Sequence, residues 1–194
     1  MSERKAEINR KTTETQVNLS VDLDGKGICK ANTGIGFLDH MLAHLSKHSG
    51  IDITVKAAGD YEVDSHHTCE DAAICLGTAF NEALGDKRGI NRYGWASVPM
   101  EDALANTSVD ISGRPFLAYN VQFSSSRIGS FDVELLEEFL RSFTNSARIN
   151  MHINVPYGTN NHHIAESVFK ALGQAFGIAV KVTGDEIPST KGVL

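Results

Sequence analysis

His66-His67-Thr68-Cys69-Glu70 recurs ninety-six residues later as His162-His163-Ile164-Ala165-Glu166, in a chain of 194 residues. Each copy packs two imidazoles and a carboxylate into about one helical turn, the ligand types that divalent transition metals take. These two pairs hold four of the eight histidines. A single histidine pair at a helix start is usually a cap or a surface feature. Its repetition together with the Glu argues for a duplicated half-domain with metal chemistry at its centre.

The repetition extends outward from the histidines. Asn18-Leu19-Ser20-Val21-Asp22-Leu23-Asp24-Gly25-Lys26 aligns with Asn106-Thr107-Ser108-Val109-Asp110-Ile111-Ser112-Gly113-Arg114. Leu38-Asp39-His40-Met41-Leu42 parallels Leu136-Glu137-Glu138-Phe139-Leu140. The offsets are 88, 98 and 96 residues, too long for a solenoid and consistent with two halves related by a pseudo-two-fold.

Within the first half, Val17, Leu19, Val21 and Leu23 alternate with polar residues and end at Asp24-Gly25, a hairpin signal with a return strand over 29–34. Phe37, Leu38, Met41, Leu42 and Leu45 follow helical spacing over 37–48. Residues 51–55 are a β-branched strand, and a helix runs from His66 to about Leu84. The second half predicts strands near 96–111 and 116–124, a helix near 132–146, a strand near 149–155 and a helix from His162 to about Val180. Each half reads ββαβα, an α+β fold of mixed or antiparallel sheets covered by helices on one face. The expected organisation is one domain over 1–194, made of repeats at about 8–92 and 93–182 with an extended tail over 183–194.

A net charge of −6 argues against binding a nucleic-acid backbone. No apolar run approaches the roughly 18–20 residues needed to cross a bilayer, and the N-terminus is polar. Cys29, Cys69 and Cys75 show no CxxC spacing, which predicts a reducing, cytoplasmic setting with Cys69 and Cys75 as packing residues.

Successive helical residues point about 100° apart, so adjacent imidazoles chelate one ion poorly. His66 or His67 with Glu70, and their copies with Glu166, share a face instead. Each pair is therefore expected to serve two different centres, completed by both halves or by neighbouring subunits, with His40 and Glu138 as further ligands. His44 shares a face with His40 and is a further candidate. His48 fits a solvated position or one near the helix C-terminus. His152 is expected in the core or behind the ligands.

The runs Gly36-Phe37-Leu38-Asp39-His40-Met41-Leu42, Asp64-Ser65-His66-His67-Thr68-Cys69-Glu70-Asp71 and Asn161-His162-His163-Ile164-Ala165-Glu166 resemble the imidazoleglycerol-phosphate dehydratase family. Arg10-x-Thr12-x-Glu14-Thr15, Gly89-Ile90-Asn91-Arg92-Tyr93-Gly94, Ser112-Gly113-Arg114-Pro115 and Pro188-Ser189-Thr190-Lys191-Gly192-Val193-Leu194 extend the resemblance along nearly the whole chain. It implies a manganese enzyme of histidine biosynthesis with two Mn2+ per active site, and trimers assembled into a 24-subunit shell with sites between subunits. It carries metal binding to His40, His66, His67, Glu70, His162, His163 and Glu166. Glu138 stands where many members have histidine. The resemblance implies phosphate binding by Arg92, Arg114, Lys170, Ser189 and Lys191, and substrate contact by Glu14.

The chemistry of such a substrate fits. With no carbonyl present, water cannot leave by way of an acidic α-proton. An imidazole whose nitrogen is held by metal can lose its proton, become an imidazolate and expel the hydroxyl on the adjoining carbon. A carboxylate then takes the proton from the next carbon, and the enol collapses to a ketone. Glu166 and Glu14 are the acid/base candidates. A two-metal phosphatase would instead release phosphate, and a purely structural metal protein would leave no open coordination position.

Overall fold

The computed structural model describes residues 3–194; Met1 and Ser2, the start of the polar N-terminus, lie outside the described residues. The first half comprises β1 (Lys5–Lys11), β2 (Thr15–Asp22), β3 (Cys29–Asn32), α1 (Gly36–Ser49), β4 (Asp52–Gly59) and α2 (His66–Leu84). The second comprises β5 (Tyr93–Met100), β6 (Ala103–Asp110), β7 (Phe116–Asn120), α3 (Glu134–Ala147), β10 (Asn150–Tyr157) and α4 (Asn161–Ala179). A small ribbon, β8 (Arg127–Ile128) with β9 (Phe131–Asp132), precedes α3. The two sheets have matching orders, β1-β2-β4-β3 and β5-β6-β10-β7. In each, three strands pair antiparallel and the last joins in parallel.

This is the expected α+β class with mixed sheets, and each half carries one strand more than the pattern ββαβα. The additional strand of the first half, β1, is an edge strand whose residues are at most half-buried. Its sequence KAEINRK carries only a brief apolar alternation, Ala6 and Ile8, too short to mark a strand. In the second half, the single strand expected near 96–111 is the hairpin β5–β6. It reverses at Glu101, which takes a left-handed φ of 47° without a glycine to mark the turn. The expected β2–β3 hairpin does not form, because β4 lies between those strands. Asp52 Oδ1, at the start of β4, accepts from Lys26 N and Ile28 N, so the Asp24-Gly25 turn is fastened across β4.

Val17, Leu19 and Val21 face inward from β2 while Gln16 and Asn18 face out. Helices cover that inner face: α2 lies on β1 and β2, and α4 on β5 and β6. Helix α2 also packs on α3, and α1 on α4, so the helices form the layer between the two sheets. Phe80, Phe143 and Phe176, from three different helices, meet at its centre with ring centroids 5.0–5.8 Å apart.

Two glycines, again ninety-six residues apart, let the helix pairs close. A Cβ on Gly77 would lie 2.5 Å from the Phe143 carbonyl oxygen, and one on Gly173 would lie 2.9 Å from that of Leu45. Backbone cannot yield as a side-chain tip can. Gly77→Val and Gly173→Val should each destabilise the fold by about 1–3 kcal/mol through overpacking, read as a lower melting midpoint by circular dichroism. Unchanged melting would refute this close approach.

Candidate metal centre

Helices α1 and α4 begin side by side, and their first two turns bring together three groups of the kind that can hold a metal. One ligand atom from each of His40, His162 and Glu166 lies within 4.8 Å of the other two. Glu166 is the hub. Its Oε2 is 3.0 Å from His162 Nε2 and 3.5 Å from His40 Nε2, while Oε1 is 3.3 Å from His44 Nε2 and 2.6 Å from Lys170 Nζ. The carboxylate is buried, and burial alone would raise its pKa. The Lys170 hydrogen bond, with His44 and His162, outweighs that and holds it well below the usual carboxylate range. Local sequence places this cluster: Asn160 caps α4 by accepting from the backbone N–H groups of His162 and His163.

The two members of each histidine pair diverge as helix geometry requires. The rings of His66 and His67 stand 6.2 Å apart at 81°, and those of His162 and His163 stand 6.3 Å apart at 87°. Each second histidine turns to a carboxylate. His67 Nδ1 lies 2.9 Å from Asp60 Oδ2, and His163 Nδ1 lies 2.6 Å from Asp102 Oδ1. The hydrogen bond to Asp60 raises the His67 pKa. Thr159 and His163 together hold Asp102 far below its ordinary value.

A buried carboxylate flanked by imidazoles is a donor set suited to a borderline divalent ion. A family profile described as imidazoleglycerol-phosphate dehydratase matches residues 33–176. The chain belongs to the imidazoleglycerol-phosphate dehydratase family. It is 52% identical to the imidazoleglycerol-phosphate dehydratase of Gluconobacter oxydans over 98% of both chains. It is 50% identical to that of Ruegeria pomeroyi over 98% of this chain and all of the relative. The crystal structure of the Staphylococcus aureus enzyme superposes with a TM-score of 0.84 at 40% identity, covering 92% of this chain and 99% of that one. The Pyrococcus furiosus enzyme, solved in complex with (S)-C348, gives 0.84 at 36% identity over 96% and 100%.

The other residues expected in a dehydratase site are dispersed in the single chain. Glu70 is the fifth residue of α2, and burial first, then the charges of Glu138 and Glu70, raise the Cys69 thiol to about 12. Glu138 accepts a 3.1 Å hydrogen bond from Ser142, one turn on, just as His40 meets His44 at 3.2 Å. Glu14 is exposed on the β1–β2 turn, its Oε1 3.9 Å from His67 Nε2. Lys170, expected at phosphate, is paired with Glu166. Arg92 is committed to Asp110 through two hydrogen bonds of 2.6 and 3.1 Å, and its Nη1 donates to the Pro188 carbonyl. Ser189 Oγ caps the tail by accepting from Lys191 N. His152, expected inside, is exposed on the outer face of the second sheet against Phe116, because its place in β10 alternates with buried Met151 and Ile153.

Sequence reasoning passed over several groups. Arg114 and Lys191 line a cleft of about 350 Å³ together with Lys87 and Arg148. Lys87 is buried, and that burial, helped by Arg148, lowers its pKa. Asp60 and Asp102 were also missed. Asp102 had a signal, since it lies 88 residues after Glu14, the offset that relates Asn18 to Asn106. A cleft of about 1000 Å³ beside Arg4, Glu82, Arg88 and Lys181 gathers no histidines and is set apart from the Glu166 cluster.

Burial lowers the His44 pKa to about 4, Glu166 only partly opposing it. The unfolded chain binds this proton near pH 6.5, so stability is full above that and lost as pH falls towards 4. His48, lowered by burial and then by Lys170, adds in the same direction. The melting midpoint of metal-stripped protein should therefore fall from pH 6.5 to 4, and His44→Gln should flatten part of that slope. An identical slope in the variant would remove His44 from the account.

Proposed function

We propose that this chain, as a dehydratase of histidine biosynthesis, converts D-erythro-imidazoleglycerol phosphate to imidazole acetol phosphate. The observation that carries the reading is the convergence of His40, His162 and Glu166 at the paired ends of α1 and α4. His66, His67, Glu70, His163 and Glu138 supply the remaining candidate ligands for two manganese ions per site. The bound ions would act as Lewis acids towards negative charge on the substrate's ring. Glu166 is engaged on both oxygens and ionised, which suits a ligand better than a base. Glu14, exposed and facing His67, is the freer carboxylate and takes the acid/base role.

The basic cleft lined by Arg114, Lys191, Lys87 and Arg148, read as the phosphate cradle, supports a working unit that is an assembly. Leu104 pairs with Tyr157 near the histidine end of the second sheet, whereas Asp110 pairs with Asn150 at the basic end. The six steps of β6 between those ends span about 20 Å. An imidazole joined through three carbons to a phosphate spans only roughly 9 Å at ~1.5 Å per bond. Metal ligands of one copy and cations of another must then meet around each substrate. Trimers packed into a 24-subunit shell would satisfy that, and exposed Tyr93, Trp95 and Phe116 on the outer face of the second sheet offer apolar surface for contacts between copies. Among the described residues no helix is long and apolar enough to cross a membrane. All three cysteines are free, which suits a reducing cytoplasm. We read 1–194 as one dehydratase domain of two repeats with a docked tail.

Manganese-loaded protein incubated with imidazoleglycerol phosphate should yield the phosphorylated ketone, and metal-stripped protein or Glu166→Gln should yield essentially none. Release of inorganic phosphate would favour the hydrolase alternative, and near-normal turnover by Glu166→Gln would remove that residue from the centre. Shared sites make a second prediction. Glu166→Gln and Arg114→Ala assemblies, each impaired, should regain activity when dissociated and reassembled together. No recovery in verified mixed assemblies would place both residues in the same site of one copy.

A further inference from the structure

We infer that Asp60 and Asp102 are positioning residues that fix His67 and His163 as Nδ1-protonated tautomers and leave each Nε2 free to hold a divalent cation. This rests on the metal reading above and goes beyond it. An ionised carboxylate only accepts hydrogen bonds, so the ring nitrogen facing it carries the hydrogen. In a neutral imidazole the other nitrogen then presents its lone pair. Both second histidines of the duplicated pairs are held in this way, at 2.9 Å and 2.6 Å. The first histidine of the second pair, His162, instead turns Nε2 to Glu166.

The two carboxylates come from different places in their repeats. Asp60 directly follows β4 in its own half, whereas Asp102 sits on the β5–β6 turn, where the first half has Glu14. A contact that merely persisted through duplication would use equivalent positions. Here one ring nitrogen is addressed twice by unrelated segments, so the requirement attaches to the histidine. The Asp102 side chain is fixed in that orientation, since its Oδ2 accepts from Thr159 N, Thr159 Oγ1 and Asn160 N at 2.6–2.9 Å, which aims Oδ1 at His163. Asp60 has a buried Oδ1 without a partner, so its side chain is held by the His67 contact rather than by a wider network.

That difference supplies the test. In the assembled, metal-stripped protein, manganese affinity is measured by titration calorimetry. The remote-nitrogen coupling of bound Mn2+ is read by pulsed electron paramagnetic resonance with 15N-labelled histidine. Asp60→Ala should weaken manganese binding about ten- to a hundred-fold and shift the remote-nitrogen signal, with melting little changed. Asp60→Asn, whose amide oxygen still accepts from Nδ1–H, should recover part of both. Asp102→Asn should behave likewise at the His163 centre; if its loosened 159–160 turn prevents assembly, the Asp60 pair decides. Unchanged affinity and coupling in Asp60→Ala overturn the inference. A wild-type protein that binds no manganese would instead sink the metal reading itself, and this inference with it.

Discussion

Neighbouring side chains on an α-helix cannot aim at one point, because each residue turns the helix by about 100°. With rings 6.2–6.3 Å apart and nearly perpendicular, each histidine pair here addresses two directions at once. His162 looks inward to Glu166 and the α1 histidines, while His163 looks outward to the β5–β6 turn. A motif that reads as one cluster in sequence thus points its two imidazoles into two different surroundings.

Electrostatics reinforce that geometry. Glu166 is buried and would resist ionisation, yet Lys170 and the surrounding imidazoles keep it charged. The basic end is the converse case. Lys87 is buried beside Arg148, and the cost of keeping two cations together falls when an anion enters the cleft between them. One end of the molecule collects ligands for cations and the other collects cations.

How far the sequence could be read follows from these physical arrangements. Periodicity located α1, α2, α3 and α4 because each buries a continuous apolar stripe, and the repeat exposed the pseudo-symmetry before any coordinates. It missed β1, whose edge position asks for little apolar alternation, and the β5–β6 turn, where Glu101 bends left-handed without a glycine. At the site, the histidines and carboxylates carried on helix starts were legible from the motif. Asp60 and Asp102 were not, since a lone Asp in a loop has no pattern and acquires its meaning only when a tertiary contact brings it to a ring nitrogen. Arg92 shows the reverse: a family position marked it for phosphate, but in the isolated chain Asp110 and the Pro188 carbonyl occupy its guanidinium.

The tail ties these observations together. It folds back along residues 89–92, with Gly89 N donating to the Glu186 carbonyl and Thr183 N to that of Gly89, before Arg92 takes the carbonyl of Pro188. Those contacts carry Ser189 and Lys191 to the basic end and away from the chain's own histidines. On the proposed reading, a tail fixed there serves a substrate whose metal ligands come from another copy. The segment that lines the basic cleft would then also link chemistry to assembly, since these backbone contacts are what carry Lys191 to Arg114, Lys87 and Arg148.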